Sequence, residues 1–288
     1  MSELADILTD LKDHIQLMKE MGQRTVEISP EVWSAWTTPA PRPPVPVPVS
    51  APVPAVAPPV AAPPPTVAFQ RPVQVAATGK RSYTPDERVA ELAAIAREID
   101  ACSACPLRAH RTHSVPGQGN PNQPDIMFIG EAPGADEDAQ GLAFVGAAGQ
   151  FLTKMITAMG YTRDQVFIAN ICKCRPPGNR TPDPNEMSAC FPFLKRQIAI
   201  IRPKTIVLLG GTAIRGILNT QVGVTRLQGQ WTRYEDIPVM PTYHPSYVIR
   251  FERGGAASAP ELLKIKRQIW TALKSVLAYL GKPVPRVS

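Results

Sequence analysis

The chain has no apolar stretch long enough to cross a membrane as a helix, and its first residues lack the apolar core and cleavage site of a signal peptide. The expectation is a cytoplasmic protein with no membrane attachment. Neither G-x-G-x-x-G nor G-x-x-x-x-G-K-[ST] occurs, so the two commonest glycine-rich phosphate cradles are excluded. Cysteine is scarce. The five residues, Cys102, Cys105, Cys172, Cys174 and Cys190, are an odd number without a secretion signal, which argues against a disulfide framework.

Proline, by contrast, is in excess. It contributes 33 of 288 residues, about twice the usual share of ~5%, and fourteen of them lie between Pro39 and Pro72. Proline removes backbone donors and favours extended backbone, so residues 26–81 read as a flexible, semi-stiff Pro/Ala-rich linker. Ahead of it, Leu4, Ile7, Leu8, Leu11, Ile15 and Met18 recur at helical spacing. This predicts a short amphipathic helix over 1–25, tethered to the rest and available to a protein partner. An isolated helix of that length is marginal. Residues 82–284 remain for one compact domain. The net charge of +7 and pI of about 9.3 suit an anionic partner such as nucleic acid.

The compact domain alternates helix and strand. Thr84-Pro85-Asp86-Glu87 is a capping box with proline at the first helical position. Apolar runs at 125–129, 166–170, 205–209 and 239–242 predict strands, with helices between them. Such alternation predicts an α/β fold, three-layer α/β/α, with a central, mostly parallel four-stranded sheet.

Cys102-Ser103-Ala104-Cys105 is a C-x-x-C knuckle, and Cys174 and Cys190 bracket a loop and the start of a helix. Four thiolates from separated segments suit tetrahedral zinc or an iron–sulfur cubane. Spacing does not choose between them, although the widely split second pair leans away from a zinc ribbon. Cys172, at a strand end, reads as a buried small side chain.

Two strand ends carry the remaining chemistry. The run 125–129 feeds into Gly130-Glu131-Ala132-Pro133-Gly134, and the run 238–242 into Tyr243-His244-Pro245-Ser246. Ligands of open α/β sheets bind beyond the carboxyl ends of the strands, so the two loops are expected over one pocket. Acidic Glu131, Asp136, Glu137 and Asp138 would repel phosphate. A neutral ring is the better ligand: Phe144 to stack on it, Asn170 to offer amide donor and acceptor, His244 to donate to a carbonyl. That is equipment for reading a flipped nucleobase.

In these motifs the chain resembles the family 4, iron–sulfur, uracil-DNA glycosylases. The matching segments run in order from about 101 to 250: Cys102-x-x-Cys105-Pro106-Leu107, Gly130-Glu131-Ala132-Pro133-Gly134-x-x-Glu137-Asp138, Phe144-Val145-Gly146, Asn170, Lys173-Cys174-Arg175-Pro176-Pro177, Asn179-Arg180-Thr181-Pro182, Cys190 and His244-Pro245-Ser246-Tyr247. The resemblance implies a structural [4Fe-4S] cluster on Cys102, Cys105, Cys174 and Cys190. It implies a uracil site built from Gly130, Phe144, Asn170 and Glu137, the last crowding C5 against thymine's methyl. His244 would bond uracil O2, and Glu131 would orient the water, with Asn179 the second choice because Ala132 fills the position that is acidic or amide in several related families. Uracil-containing DNA would be met by Tyr247, Arg180 and Arg250, with Val248 or Ile249 as an apolar wedge. A nucleoid-associated monomer active in base excision repair is the corresponding expectation.

Two other readings belong to different classes. One is the branch trapped covalently through a histidine in Lys-Arg-Arg-Ile-His, but this chain reads Arg175-Pro176-Pro177-Gly178-Asn179-Arg180 there. The other is a non-catalytic iron–sulfur DNA-binding adaptor, against which the presence of Glu131, Asn170 and His244 argues.

Overall fold

The computed structural model describes residues 81–252 and 259–285. The predicted N-terminal helix and the linker, apart from Arg81, lie outside the described residues. Helix α1, Pro85–Ala101, begins as its sequence predicts: the Thr84 hydroxyl accepts from Glu87 N–H at 3.2 Å, and the Glu87 carboxylate accepts from Thr84 N–H at 2.7 Å. A 3₁₀ turn, Pro106–His110, follows the cysteine knuckle. Then come strands β1 (Gln118–Gly119) and β2 (Ile126–Gly130), helices α2 (Ala135–Gln140) and α3 (Ala147–Ala158), strand β3 (Phe167–Asn170), helix α4 (Pro184–Ile201), strand β4 (Thr205–Leu209), and helices α5 (Gly210–Leu218) and α6 (Val224–Leu227). Strands β5 (Thr232–Tyr234) and β6 (Ile237–Thr242) and helices α7 (Pro245–Glu252) and α8 (Ala259–Tyr279) complete the domain.

The sheet order is β1-β3-β2-β4-β6-β5. The four expected strands form its parallel centre, β3-β2-β4-β6. Two short edge strands, β1 and β5, pair antiparallel outside them, so the sheet has six strands rather than four. Two- and three-residue strands carry no readable period, and they cap the edges of the sheet, which are otherwise open to unwanted pairing.

Strand residues alternate between two cores. Ile126, Phe128, Ile168, Val207 and Met240 face α3, α7 and α8, meeting Leu152, Met155, Val248, Trp270 and Leu273. Met127, Ile129, Ala169, Ile206, Leu208 and Val239 face α4 and α5, meeting Leu194, Ile198, Ala213 and Ile214. Both faces are therefore covered, which is why β2 and β4 read as unbroken apolar runs. Helix α1 packs on α4 through Ile95, Ile99 and Ile200, and the Arg88 guanidinium donates to the Ile200 and Ile201 carbonyls at the end of α4. Among the described residues no helix is long and apolar enough to cross a membrane.

The chain leaves β2 to one side, into β3, and returns by α4 to β4 on the other side. The topological switch point thus lies at β2, and the crevice beyond its carboxyl end is where a ligand is expected.

Candidate active site

At that end of the sheet a cavity of about 650 Å³ is lined by Glu131, Glu137, Phe144, Asn170, Asn179, Arg180, His244 and Arg250, together with the Gly210-Gly211 turn and Tyr247. Its size is that of a small-molecule site, about 300–1,000 Å³. Residues from four strand ends and the loop 176–181 converge there. Backbone bonds from Ile171 N–H to the Gly130 carbonyl and from Cys172 N–H to the Glu131 carbonyl, both 3.0 Å, extend the β2–β3 pairing past the sheet and fix where Glu131 starts.

Phe144 stands over Gly130 in left-handed backbone, φ 54°, a conformation a bulky residue adopts only when held there. What holds it is Glu137. One carboxylate oxygen accepts from Val145 and Gly146 N–H, each at 2.8 Å, and the other from Gly134 N–H at 3.0 Å. Arg163 adds a second brace, donating to the Ala143 carbonyl at 2.7 Å and to the Thr153 hydroxyl at 3.1 Å. Glu137 lines the cavity as expected, but both of its oxygens are engaged by the loop that carries Phe144.

Asn170 ends β3 and is 2% exposed. Its backbone carbonyl accepts from Lys173 Nζ at 2.9 Å, while its side-chain Oδ1 is buried with no partner. A buried acceptor left unpaired costs about 1–3 kcal/mol, so this atom marks a place for a donor from a ligand. His244 follows β6. Its Nδ1 accepts from Ser246 N–H at 3.1 Å and lies 2.7 Å from Ser246 Oγ, which assigns the neutral tautomer with the proton on Nε2. Desolvation, and secondarily the charge of Arg250, push its pKa down to about 4. Gly210, φ +86°, makes room for it: a Cβ there would stand 2.8 Å from that of His244. The Phe144 and His244 rings adjoin, centroids 5.7 Å apart.

Glu131, half-buried, lines the cavity and accepts a hydrogen bond from the Thr212 hydroxyl. Asn179, also in left-handed backbone (φ 56°), accepts at Oδ1 from Arg175 Nε at 2.7 Å and sits on the rim. Two DNA-facing expectations change. Arg180 is held by a two-pronged pair to buried Glu186, at 2.8 and 2.6 Å, so it braces its loop and meets a phosphate only with its charge already matched. Val248 is not a wedge: it is fully buried in the core beneath α7. Ile249 is half-buried, and Arg250 is exposed at the rim. Sequence reasoning missed Thr212, and it placed Ser246 and Lys173 in the motifs without assigning them a role. A Gly-Gly-Thr turn closing a buried strand was the available signal for the first.

Cys102, Cys105, Cys174 and Cys190 line a second, smaller cavity with Lys173 and Arg108. Arg111 donates to Cys174 Sγ at 3.1 Å and Lys173 N–H to Cys190 Sγ at 3.2 Å. Cys172 is fully buried, and its free thiol hydrogen-bonds to the Cys190 thiolate, lowering the Cys190 pKa and raising its own. Among the described residues no group of three or more His, Cys, Asp or Glu side chains is drawn together as a metal site; the four cysteines come from three separate segments and line the same small cavity. Lys173 is fully buried and donates to Gln197 Oε1 at 2.8 Å as well as to Asn170; desolvation pushes its pKa down to about 8, against the opposing pull of Cys190 beside it. A buried cation needs a compensating anion, and a thiolate-bound group supplies one.

A family model described as the uracil DNA glycosylase superfamily matches residues 116–274. The chain is 48% identical over 161 residues to the type-4 uracil-DNA glycosylase of Sulfurisphaera tokodaii, spanning 53% of this chain and 73% of that protein. It is 44% identical over 160 residues to the type-4 enzyme of Thermotoga maritima, spanning 54% and 82%. To that of Saccharolobus solfataricus it is 39% identical over 199 residues, spanning 66% and 87%. The matched span carries both strand-end loops, Asn170 and the second pair of cysteines, and on these grounds the chain belongs to the uracil DNA glycosylase superfamily, in its type-4 branch.

Proposed function

We propose that the cavity receives a uracil flipped out of DNA and that the residues around it hydrolyse its N-glycosidic bond, leaving an abasic site. The chain is a uracil-DNA glycosylase of DNA repair. The observation that carries the residue-level reading is the buried, partnerless Oδ1 of Asn170 beside Phe144. Uracil offers N3–H to that oxygen and O4 to the amide N–H₂. Cytosine offers an acceptor at N3 and a donor at N4, so acceptor would face acceptor and donor would face donor. A site built for one edge rejects the other strongly. Phe144 stacks on the ring, and the Glu137-braced loop closes the C5 side, where thymine carries its methyl.

As the bond to C1′ breaks, negative charge gathers on the base and positive charge on the sugar. His244, neutral with its proton on Nε2, donates toward O2, where the charge develops. No proton need be transferred for this, which suits a histidine whose protonated form is disfavoured. Glu131 orients the water that adds at C1′ and faces the developing cation. Asn179, on the rim, is the second group lining the cavity able to hold that water.

Cys102, Cys105, Cys174 and Cys190 would hold a [4Fe-4S] cluster, with Arg111, Lys173 and Cys172 supplying hydrogen bonds and positive charge around it. Held by these residues, it would tie the 102–105, 174 and 190 segments together and so would order the loop 175–182 at the rim. Ile249 and Arg250 meet the DNA, and the basic balance of the chain predicts salt-weakened binding. A monomer is the assembly expected. The N-terminal segment serves as a tethered docking element for a protein partner, and removing residues 1–80 should leave excision intact.

The test is incubation with a uracil-containing oligonucleotide, alkali treatment and a denaturing gel, with Glu131→Ala alongside. Scission at uracil, lost in the variant, supports the reading. A slow covalent protein–DNA band would indicate trapping, and reversible binding to an intact strand a non-catalytic adaptor.

A further inference from the structure

Thr212 joins the helix that follows β4 to the loop that follows β2. A threonine in the first turn of a helix ordinarily bonds back to its own backbone. Here the hydroxyl, 3% exposed, instead reaches from the start of α5 to the loop after β2 and bonds Oε2 of Glu131. One turn further along α5, Arg215 Nη2 donates to the same hydroxyl oxygen at 3.2 Å. A guanidinium can only donate. The lone pair it occupies leaves the hydroxyl proton to point elsewhere, and the Glu131 carboxylate is the acceptor in reach. Gly211 keeps this line open, since a Cβ there would stand 3.3 Å from Arg215 Nη1.

We propose that Thr212 is a positioning residue for the reaction: directed by Arg215, it fixes one oxygen of Glu131 and so holds the other toward the water. This rests on the reading of Glu131 as the water-orienting carboxylate. The consequence is specific. Thr212 should act on turnover, through Glu131 alone, and not on base recognition, which belongs to Asn170, Phe144 and His244.

The experiment is single-turnover and steady-state excision from a uracil-containing duplex by Thr212→Val, Thr212→Ser, Arg215→Met, Glu131→Ala and the Thr212→Val/Glu131→Ala double variant, with thermal melts of each. A hydrogen bond to a charged group is worth about tenfold to a hundredfold in rate when lost. Thr212→Val should lose about that much in kcat with KM unchanged. Thr212→Ser should recover most of it, Arg215→Met should fall between, and the double variant should be no slower than Glu131→Ala. Full kcat in Thr212→Val beside an inactive Glu131→Ala overturns the role of Thr212 and leaves Glu131 standing. Full kcat in Glu131→Ala overturns the reading of Glu131 itself. An equal loss from Thr212→Val in both backgrounds assigns it a merely structural role. If Thr212→Val does not fold, full kcat in Arg215→Met is the overturning result.

Discussion

Gly130 and Phe144 fit together only because Gly130 has no side chain: a Cβ there would lie 2.4 Å from Cζ of Phe144 and 2.5 Å from Oδ1 of Asn170. The strand end thus passes directly beneath both groups that read the base. Gly130→Ala should displace the ring and the amide together while leaving the sheet intact, because the atoms nearest the added Cβ are side-chain atoms of Phe144 and Asn170 and not strand backbone. The expected outcome is a loss of kcat/KM for uracil of about tenfold to a hundredfold, the price of a misplaced reacting geometry, with an unchanged circular dichroism spectrum.

Glu137 accepts three backbone N–H groups with two oxygens. Glu137→Gln keeps the size but turns one oxygen into an N–H₂, which then faces either Gly134 N–H or the Val145 and Gly146 pair. A buried donor left facing a donor costs about 1–3 kcal/mol. In a domain of this length that lowers Tm by about 2–4 °C for each kcal/mol. Differential scanning calorimetry checks it, and excision should fall as well, since Phe144 is held through this loop.

For Asn170, the prediction separates affinity from folding. Asn170→Ala removes the unpaired acceptor, so the free protein should be no less stable by thermal melt. Its excision of uracil should nonetheless drop by about a hundredfold, as both edge hydrogen bonds are lost. A variant that melts lower and still excises would contradict this assignment.

The pKa of His244 in the folded protein is about 4, below its ordinary value of 6.5. The folded state therefore binds this proton less readily than the unfolded chain does. The stability that comes from keeping the ring neutral is complete above the unfolded value and is lost as pH falls through about 4. Because the neutral ring is the working form, kcat should show no histidine limb near 6.5 and should fall only near the folded value. Removing the Arg250 charge by Arg250→Gln should raise the His244 titration, measured by NMR.

Much of this was legible in the chain. The four central strands, the Thr84 capping box and the motif residues around the cavity are local patterns, because burial on both faces writes itself as an unbroken apolar run and a cap as a fixed spacing. The helix after His244 was not read correctly. Val248, between Tyr247 and Ile249, reads as an apolar wedge beside His244, yet its position on α7 turns it into the first core. Arg180 likewise read as a free cation until the fold brought Glu186, six residues on, back against it.

By itself, the sequence determined which elements form and which side chains sit at strand ends, since propensity, capping and hydrophobic period act over a few neighbouring residues. Only the tertiary structure decided what those side chains face. Glu131 meets Thr212 across 81 positions because β2 and β4 lie side by side in parallel register, and hydrogen bonds made at that range depend on the packing of whole elements rather than on any local spacing.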